Sequence, residues 1–221
     1  MRRTTILAAA GLLAACAPRG ADEPEAWNYE RHVAQRNAEI EAAGAEEGGV
    51  LFVGDSITYG GGDWSRWFPG VETSNQGVGG DRTAALVGRM GQITRGAPER
   101  VFLMIGTNDL SGGLTVEETT DGALAVVGGI REGIPAADLY VQSILPREAA
   151  MTERVRAVNA RLAAAADDEG YVYLDVFGAF AAEDGTLRRE LTEDELHLTD
   201  EGYALWASLI DRCVRQGCEG L

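Results

Sequence analysis

The chain has 221 residues, 45% of them hydrophobic and 24% charged, which is typical of a soluble globular protein and is enough for one domain. Thirty-five acidic residues against 19 arginines and no lysine give a formal charge of -16. Binding of nucleic acid requires a basic surface, so this composition argues against a nucleic-acid partner.

The N-terminus has the pattern of an export signal. Arg2 and Arg3 precede an apolar stretch at 6–15, which is too short to span a bilayer and suits a signal peptide. The sequence LAAC at 13–16 resembles the lipobox of bacterial lipoproteins, which implies lipidation of Cys16. We therefore expect a signal peptide at 1–15, a tether at 16–25 and a domain at 26–221. Extracytoplasmic anchoring in the periplasm or outer membrane is expected, and a cleaved, secreted form is the alternative.

Two further cysteines lie near the C-terminus. Cys213 and Cys218 are close in sequence, and export would place them in an oxidising compartment. Sequence spacing does not decide whether their geometry allows a disulfide.

After a polar surface helix predicted at 27–43, where His32 is expected in solvent, strand and helix patterns alternate. This alternation predicts an α/β fold, a three-layer α/β/α sandwich with a five-stranded parallel sheet, as in flavodoxin-like proteins. The predicted strands cover residues 50–53, 71–74, 101–105, 139–144 and 171–176. The predicted helices cover residues 82–94, 116–132, 148–168 and 200–214.

Four short stretches carry residues suited to catalysis. They are GDSIT at 54–58, NQGVGGD at 75–81, GTND at 106–109 and DELH at 194–197. The first three each follow a predicted strand, and the carboxyl ends of parallel strands meet at one edge of the sheet. These stretches are therefore expected to converge.

Together the four stretches contain every group that acyl transfer requires. Ser56 would be the nucleophile and His197 the base, because the other histidine is predicted far from any strand end. Asp194, three residues earlier, would orient the imidazole. The backbone N–H groups of Ser56 and Gly80 and the side chain of Asn108 would bind the oxyanion.

These residues resemble the SGNH, or GDSL-type, hydrolases. Ser56, Gly80, Asn108 and His197 match the four residues in the family's name, and Asp194 matches the aspartate of its D-x-x-H block. The stretches at 75–81 and 141–147 are similar to the branch that includes platelet-activating-factor acetylhydrolase catalytic subunits and bacterial carbohydrate acetylesterases. The resemblance implies a serine esterase that prefers short acyl groups.

One departure affects the catalytic loop. Glu195 stands where the family often has glycine, and Glu193 adds an acid, so more than one carboxylate is available to His197. A metal site of Asp194, His197 and Asp200 is a weak alternative, because it has only one histidine.

Other residues have competing interpretations. Asp55 and Asp109 are expected to make turn and loop hydrogen bonds. Trp64 and Trp67 are expected in the core, with an aromatic wall for substrate as the alternative. Arg147 could contact substrate or an acidic neighbour.

The expected function is hydrolysis of short acyl esters, acetyl above all, on carbohydrate or cell-envelope glycans through an acyl-enzyme on Ser56. No cofactor or metal is expected, and membrane contact would come only through the lipid on Cys16. The alternatives are a lysophospholipase or thioesterase for longer chains and a non-catalytic glycan-binding lipoprotein. Sequence does not determine the oligomeric state.

Overall fold

The computed structural model describes residues 28–44 and 47–220. The predicted signal peptide, the tether and the lipidation site at Cys16 lie outside these residues, so those assignments stay predictions. Within the described ranges, no helix has the length and apolar character needed to cross a membrane.

The fold is built on one five-stranded parallel sheet with the strand order β2-β1-β3-β4-β5. The predicted α/β class and the parallel five-stranded sheet are confirmed. The strands are β1 (Val50–Gly54), β2 (Thr73–Gly77), β3 (Arg100–Met104), β4 (Asp138–Gln142) and β5 (Val172–Leu174).

Helices connect the strands and follow the last one. They are α1 (Tyr29–Ala43), α2 (Ser56–Gly60), α3 (Thr83–Gly88), α4 (Met90–Ile93), α5 (Thr107–Ser111), α6 (Val116–Gly133), α7 (Thr152–Glu169), α8 (Phe177–Phe180) and α9 (Asp200–Gln216). Short 3₁₀ turns lie at Trp64–Arg66 and Arg189–Leu191.

The two faces of the sheet bury different side chains because neighbouring residues of a strand point to opposite sides. One face, which we call the aliphatic face, buries Leu51 and Leu103 against α3, α6 and α7. The other, the aromatic face, buries Phe52 and Phe102 against α9. On the aromatic face the ring of Trp64 stacks on Phe52, with 4.1 Å between centroids.

Two predicted elements differ from the structure in ways that tertiary contacts explain. Strand β2 begins two residues later than predicted and extends into the polar residues 75–77, because it is an edge strand whose Asn75 side chain donates to the carbonyls of Thr58 and Gly62. The helix predicted at 82–94 is interrupted at Arg89, whose guanidinium pairs with Asp81 at 3.0 Å. Tertiary contacts override local preference at both places.

The C-terminal cysteines are joined by a disulfide between Cys213, in α9, and Cys218, with 4.7 Å between their Cα atoms. The backbone N–H of Cys218 donates to the hydroxyl of Tyr140 in β4. The bridge and this hydrogen bond hold the chain end against the sheet.

Candidate active site

Ser56 lies where β1 ends and α2 begins, at the carboxyl edge of the sheet. Asp55 caps α2, because its side chain accepts a hydrogen bond from the N–H of Ile57 at 2.9 Å. Strand β1 and Asp55 are buried, whereas Ser56 is partly exposed. The buried strand therefore holds the serine at the surface of the cleft.

His197 contacts the serine from a loop before α9. Its Nε2 lies 3.0 Å from Ser56 Oγ, and its Nδ1 lies 2.6 Å from Asp194 Oδ2. A hydrogen bond on the aromatic face joins the helix that follows this loop to the helix of the serine. The Tyr203 hydroxyl in α9 donates to the carbonyl of Ile57 in α2 at 2.7 Å. Residues 141 positions apart are thus brought together.

Asp194 organises the loop that carries His197. Its Oδ1 accepts hydrogen bonds from the backbone N–H of Leu196 at 3.1 Å and of His197 at 2.7 Å. Burial acts to raise the pKa of Asp194, but the hydrogen bonds from the side chain and backbone of His197 outweigh it and lower the pKa to about 2. Of the carboxylates left open by the sequence, Asp194 is the one that contacts the imidazole.

Glu195 adopts the left-handed backbone conformation, with φ of 63°. It is the one non-glycine residue with positive φ among those that the structure describes. A glycine at this position would adopt the conformation without steric cost.

Gly80 and Asn108 line the same cavity as Ser56. Gly80 has φ of 82°, and a side chain there would collide with the ring of Tyr29. The side-chain NH₂ of Asn108 donates one hydrogen bond to the carbonyl of Asp81 at 2.9 Å. An amide NH₂ has two N–H groups, so this bond orients the second.

Helix α5, which carries Asn108, is anchored at two sides. Asp109 accepts hydrogen bonds from the N–H and the hydroxyl of Thr83, the latter at 2.6 Å. Arg147, only 8% exposed, donates to the hydroxyls of Thr107 at 2.8 Å and Ser111 at 3.1 Å. Asp109 makes structural hydrogen bonds, as predicted, but to the first residue of α3 and not within its own turn or loop. The bracing role of Arg147 had no signal in the sequence.

Arg147 also contacts the acidic neighbour that one of its two interpretations proposed. Its Nε lies 3.1 Å from a carboxylate oxygen of Glu148. The guanidinium of Arg147 is therefore bound by protein groups, namely this carboxylate and the two hydroxyls of α5.

The cavity at Ser56 has a volume of about 360 Å³ and includes a residue that sequence reasoning placed in solvent. His32 of α1 is partly buried and lines it, with its ring edge-on to Tyr59 at 5.5 Å. The prediction for His32 was wrong because α1 has few apolar positions to show which side faces the protein. Helix α1 docks instead by polar contacts, chiefly those of Arg36 with backbone carbonyls of β2.

The structure also places the residues of two other interpretations. Trp64 is 1% exposed and belongs to the core, and Trp67 packs against that core while donating to the carbonyl of Gly61. Asp200, the third ligand of the alternative metal site, lies 3.3 Å from Arg66. Among residues 28–44 and 47–220, no group of three or more His, Cys, Asp or Glu could hold a metal ion.

Comparison with known proteins gives consistent results. Residues 52–205 match the model of the GDSL-like lipase/acylhydrolase family. The chain is 32% identical over 163 residues to platelet-activating factor acetylhydrolase IB subunit alpha1 of Bos taurus, which covers 70% of this chain and 69% of that protein.

Solved structures show the same fold. A GDSL-like lipase from Bacteroides thetaiotaomicron superimposes with a TM-score of 0.69 at 21% identity, covering 86% of this chain and 98% of that one. A variant of an acetyl-xylooligosaccharide esterase from Geobacillus Stearmophilus gives 0.62 at 17% identity, covering 78% and 95%.

Proposed function

Because the chain belongs to the GDSL-like lipase/acylhydrolase family and is a carboxylic ester hydrolase, we propose that it removes short acyl groups, acetyl above all, from carbohydrate esters. One observation carries the hydrolytic reaction on which the proposal depends: His197 bridges Ser56 Oγ at 3.0 Å and Asp194 Oδ2 at 2.6 Å. A serine nucleophile is activated by this chain of hydroxyl, imidazole and carboxylate.

In the proposed reaction, His197 Nε2 takes the proton of Ser56 as Oγ attacks the acyl carbon. The N–H groups of Ser56 and Gly80 and the second N–H of Asn108 donate to the oxyanion. His197 then returns the proton to the alcohol oxygen, which leaves while the acyl group stays on Ser56. Water, deprotonated by the same imidazole, attacks the acyl-enzyme. The bond from the acyl carbon to Ser56 Oγ then breaks, Oγ takes the proton back from His197, and the carboxylic acid is released.

The lining of the cavity supports a short acyl group. Apart from the catalytic residues and glycines, it is lined by His32, Tyr59 and Leu196, of which only Leu196 is aliphatic. Each buried methylene contributes about 0.8 kcal/mol, so selection of a long chain needs an extended apolar wall. The relative from Bos taurus is likewise named an acetylhydrolase.

Two observations support a carbohydrate alcohol over a phospholipid. The formal charge of -16 disfavours approach to anionic lipid surfaces. A neighbouring cavity on the side of His197 offers polar groups to a hydroxyl-rich alcohol, because Glu193, Thr199, Asp200 and Glu201 line it. One structural neighbour is named as an esterase of acetyl-xylooligosaccharides, although that likeness concerns the fold alone.

An extracytoplasmic location is part of the proposal. The Cys213–Cys218 disulfide supports it, because disulfides persist in oxidising compartments. The sequence at 13–16 adds the expectation of a lipid anchor on Cys16.

Ester hydrolysis by the purified protein tests the proposal, with Ser56→Ala as the blank. We expect kcat/KM for nitrophenyl esters to fall from acetate through butanoate to octanoate. Acetate release from acetylated xylooligosaccharides should exceed that from a phosphatidylcholine with a short acetyl ester. A kcat/KM that rises with chain length would favour a lysophospholipase or thioesterase, and no turnover of any ester would favour a glycan-binding protein.

A further inference from the structure

Helix α1 brings a second histidine to the catalytic cavity. His32 lines it together with Ser56, Tyr59, Gly79 and Gly80. The reaction proposed above gives this side chain no chemical step. A side chain that lines the cavity without a chemical step can still contact the substrate.

The imidazole of His32 fits closely against its surroundings. A Cβ atom on Gly79 would lie 2.7 Å from His32 Nε2, so only glycine allows the ring to approach the turn. The ring of Tyr59 lies edge-on at 5.5 Å with an interplanar angle of 78°. His32 is thus part of a packed wall.

Arg36, one helical turn after His32, holds this wall in place. Its Nε donates to the carbonyl of Gly77 at 3.0 Å and its Nη2 to the carbonyl of Asn75 at 2.5 Å. The guanidinium also lies 5.0 Å from the centroid of the Tyr59 ring. Because β2 is part of the sheet, α1 and His32 are fixed relative to Ser56.

The direction of proton transfer assigns the two ends of the ester. The alcohol oxygen must receive its proton from His197 Nε2, so the alcohol lies on the side of His197. The acyl chain is attached to the same carbon and extends away from that side. The acyl chain is therefore expected to extend toward the part of the cavity that His32 and Tyr59 line.

We propose that His32 is a specificity-determining residue that closes the acyl end of the cavity and restricts the enzyme to short acyl groups. This inference rests on the proposed function, since it assigns the acyl subsite of that reaction. Excess methylenes would meet the imidazole, and one methylene changes kcat/KM in a shaped pocket by about 10- to 200-fold.

The test compares His32→Ala with wild type on nitrophenyl acetate, butanoate and hexanoate. We expect the ratio of kcat/KM for butanoate to that for acetate to rise at least about tenfold, because the space of the ring becomes available. His32→Phe keeps a ring of similar size and should retain the wild-type ratio. Gln35→Ala, on an exposed position of the same helix, is the matched control and should change nothing.

An unchanged ratio in His32→Ala, or an equal loss for all three esters, would overturn the inference. If that variant folds poorly by circular dichroism, His32→Asn, which also shortens the side chain, should shift the ratio in the same direction. The wild-type profile separates the two proposals: preference for long chains refutes the proposed acetyl specificity, whereas the shift between variants tests His32 alone.

Discussion

Two aspartates near the reacting groups, one beside Ser56 and one in the loop of His197, have opposite environments. Asp55, next to Ser56, is 1% exposed, and burial raises its pKa to about 7, although the hydrogen bond from the N–H of Ile57 acts to lower it. Asp194, three residues before His197, is about half exposed, and the hydrogen bonds of His197 lower its pKa to about 2. Burial thus favours the protonated carboxyl group of Asp55, whereas hydrogen bonding favours the ionised carboxylate of Asp194.

The difference separates two tasks. The nucleophile side is a buried strand and a capped helix, so Ser56 is positioned by the core. The base side is an exposed loop organised by Asp194, whose charge also selects the tautomer of His197 that can accept a proton from serine. We therefore expect changes at Asp194 to affect turnover and changes at Asp55 to affect stability.

The largest effect is expected for Asp194→Asn. The amide retains an oxygen for the backbone N–H groups but presents an NH₂ or a neutral oxygen to Nδ1, so kcat should fall about 10³- to 10⁴-fold. Steady-state kinetics with nitrophenyl acetate measures the loss. Glu193→Gln removes the same charge from the same loop and should stay within about twofold of wild type; equal losses in both variants would refute the role of Asp194.

The next effect concerns Asp55→Asn and the pH dependence of stability. The folded-state pKa of Asp55 lies above the ordinary value of 3.8, so its contribution to stability is full below that value and is lost as pH rises towards about 7. The variant lacks this titration. Its free energy of unfolding, measured relative to that of wild type, should therefore rise by about a few kcal/mol between pH 4 and pH 8.

Urea denaturation at several pH values measures that gain. Asp63→Asn is the matched control, because Asp63 also caps a short helical turn but is exposed. A constant difference between wild type and Asp55→Asn over this pH range would contradict the assignment.

The smallest effect is expected for Glu195→Gly. Relief of the left-handed conformation should stabilise the loop by about 1–2 kcal/mol, and the extra entropy of glycine in the unfolded chain offsets about 0.5–1 kcal/mol. The free energy of unfolding should rise by about 0.5 kcal/mol, with kcat unchanged. A decrease in thermal stability would indicate that the Glu195 side chain makes a compensating contribution.

Much of the fold was predictable because it follows from local patterns. The apolar runs at 50–53 and 101–105 predict strands buried on both faces, and the apolar spacing in α9 predicts a helix on the sheet. Strand β2 was less predictable, because its polar residues are held by contacts with α1 and α2 that no local pattern encodes.

The sequence by itself determined the fold class, the family and the residues that meet at the carboxyl edge of the sheet, because hydrophobic periodicity and short motifs are local properties. Tertiary structure alone decided that His32 enters the cavity and that Arg147 braces α5. Both side chains act through partners more than 25 positions away, and such long-range contacts leave no periodic signal in the chain.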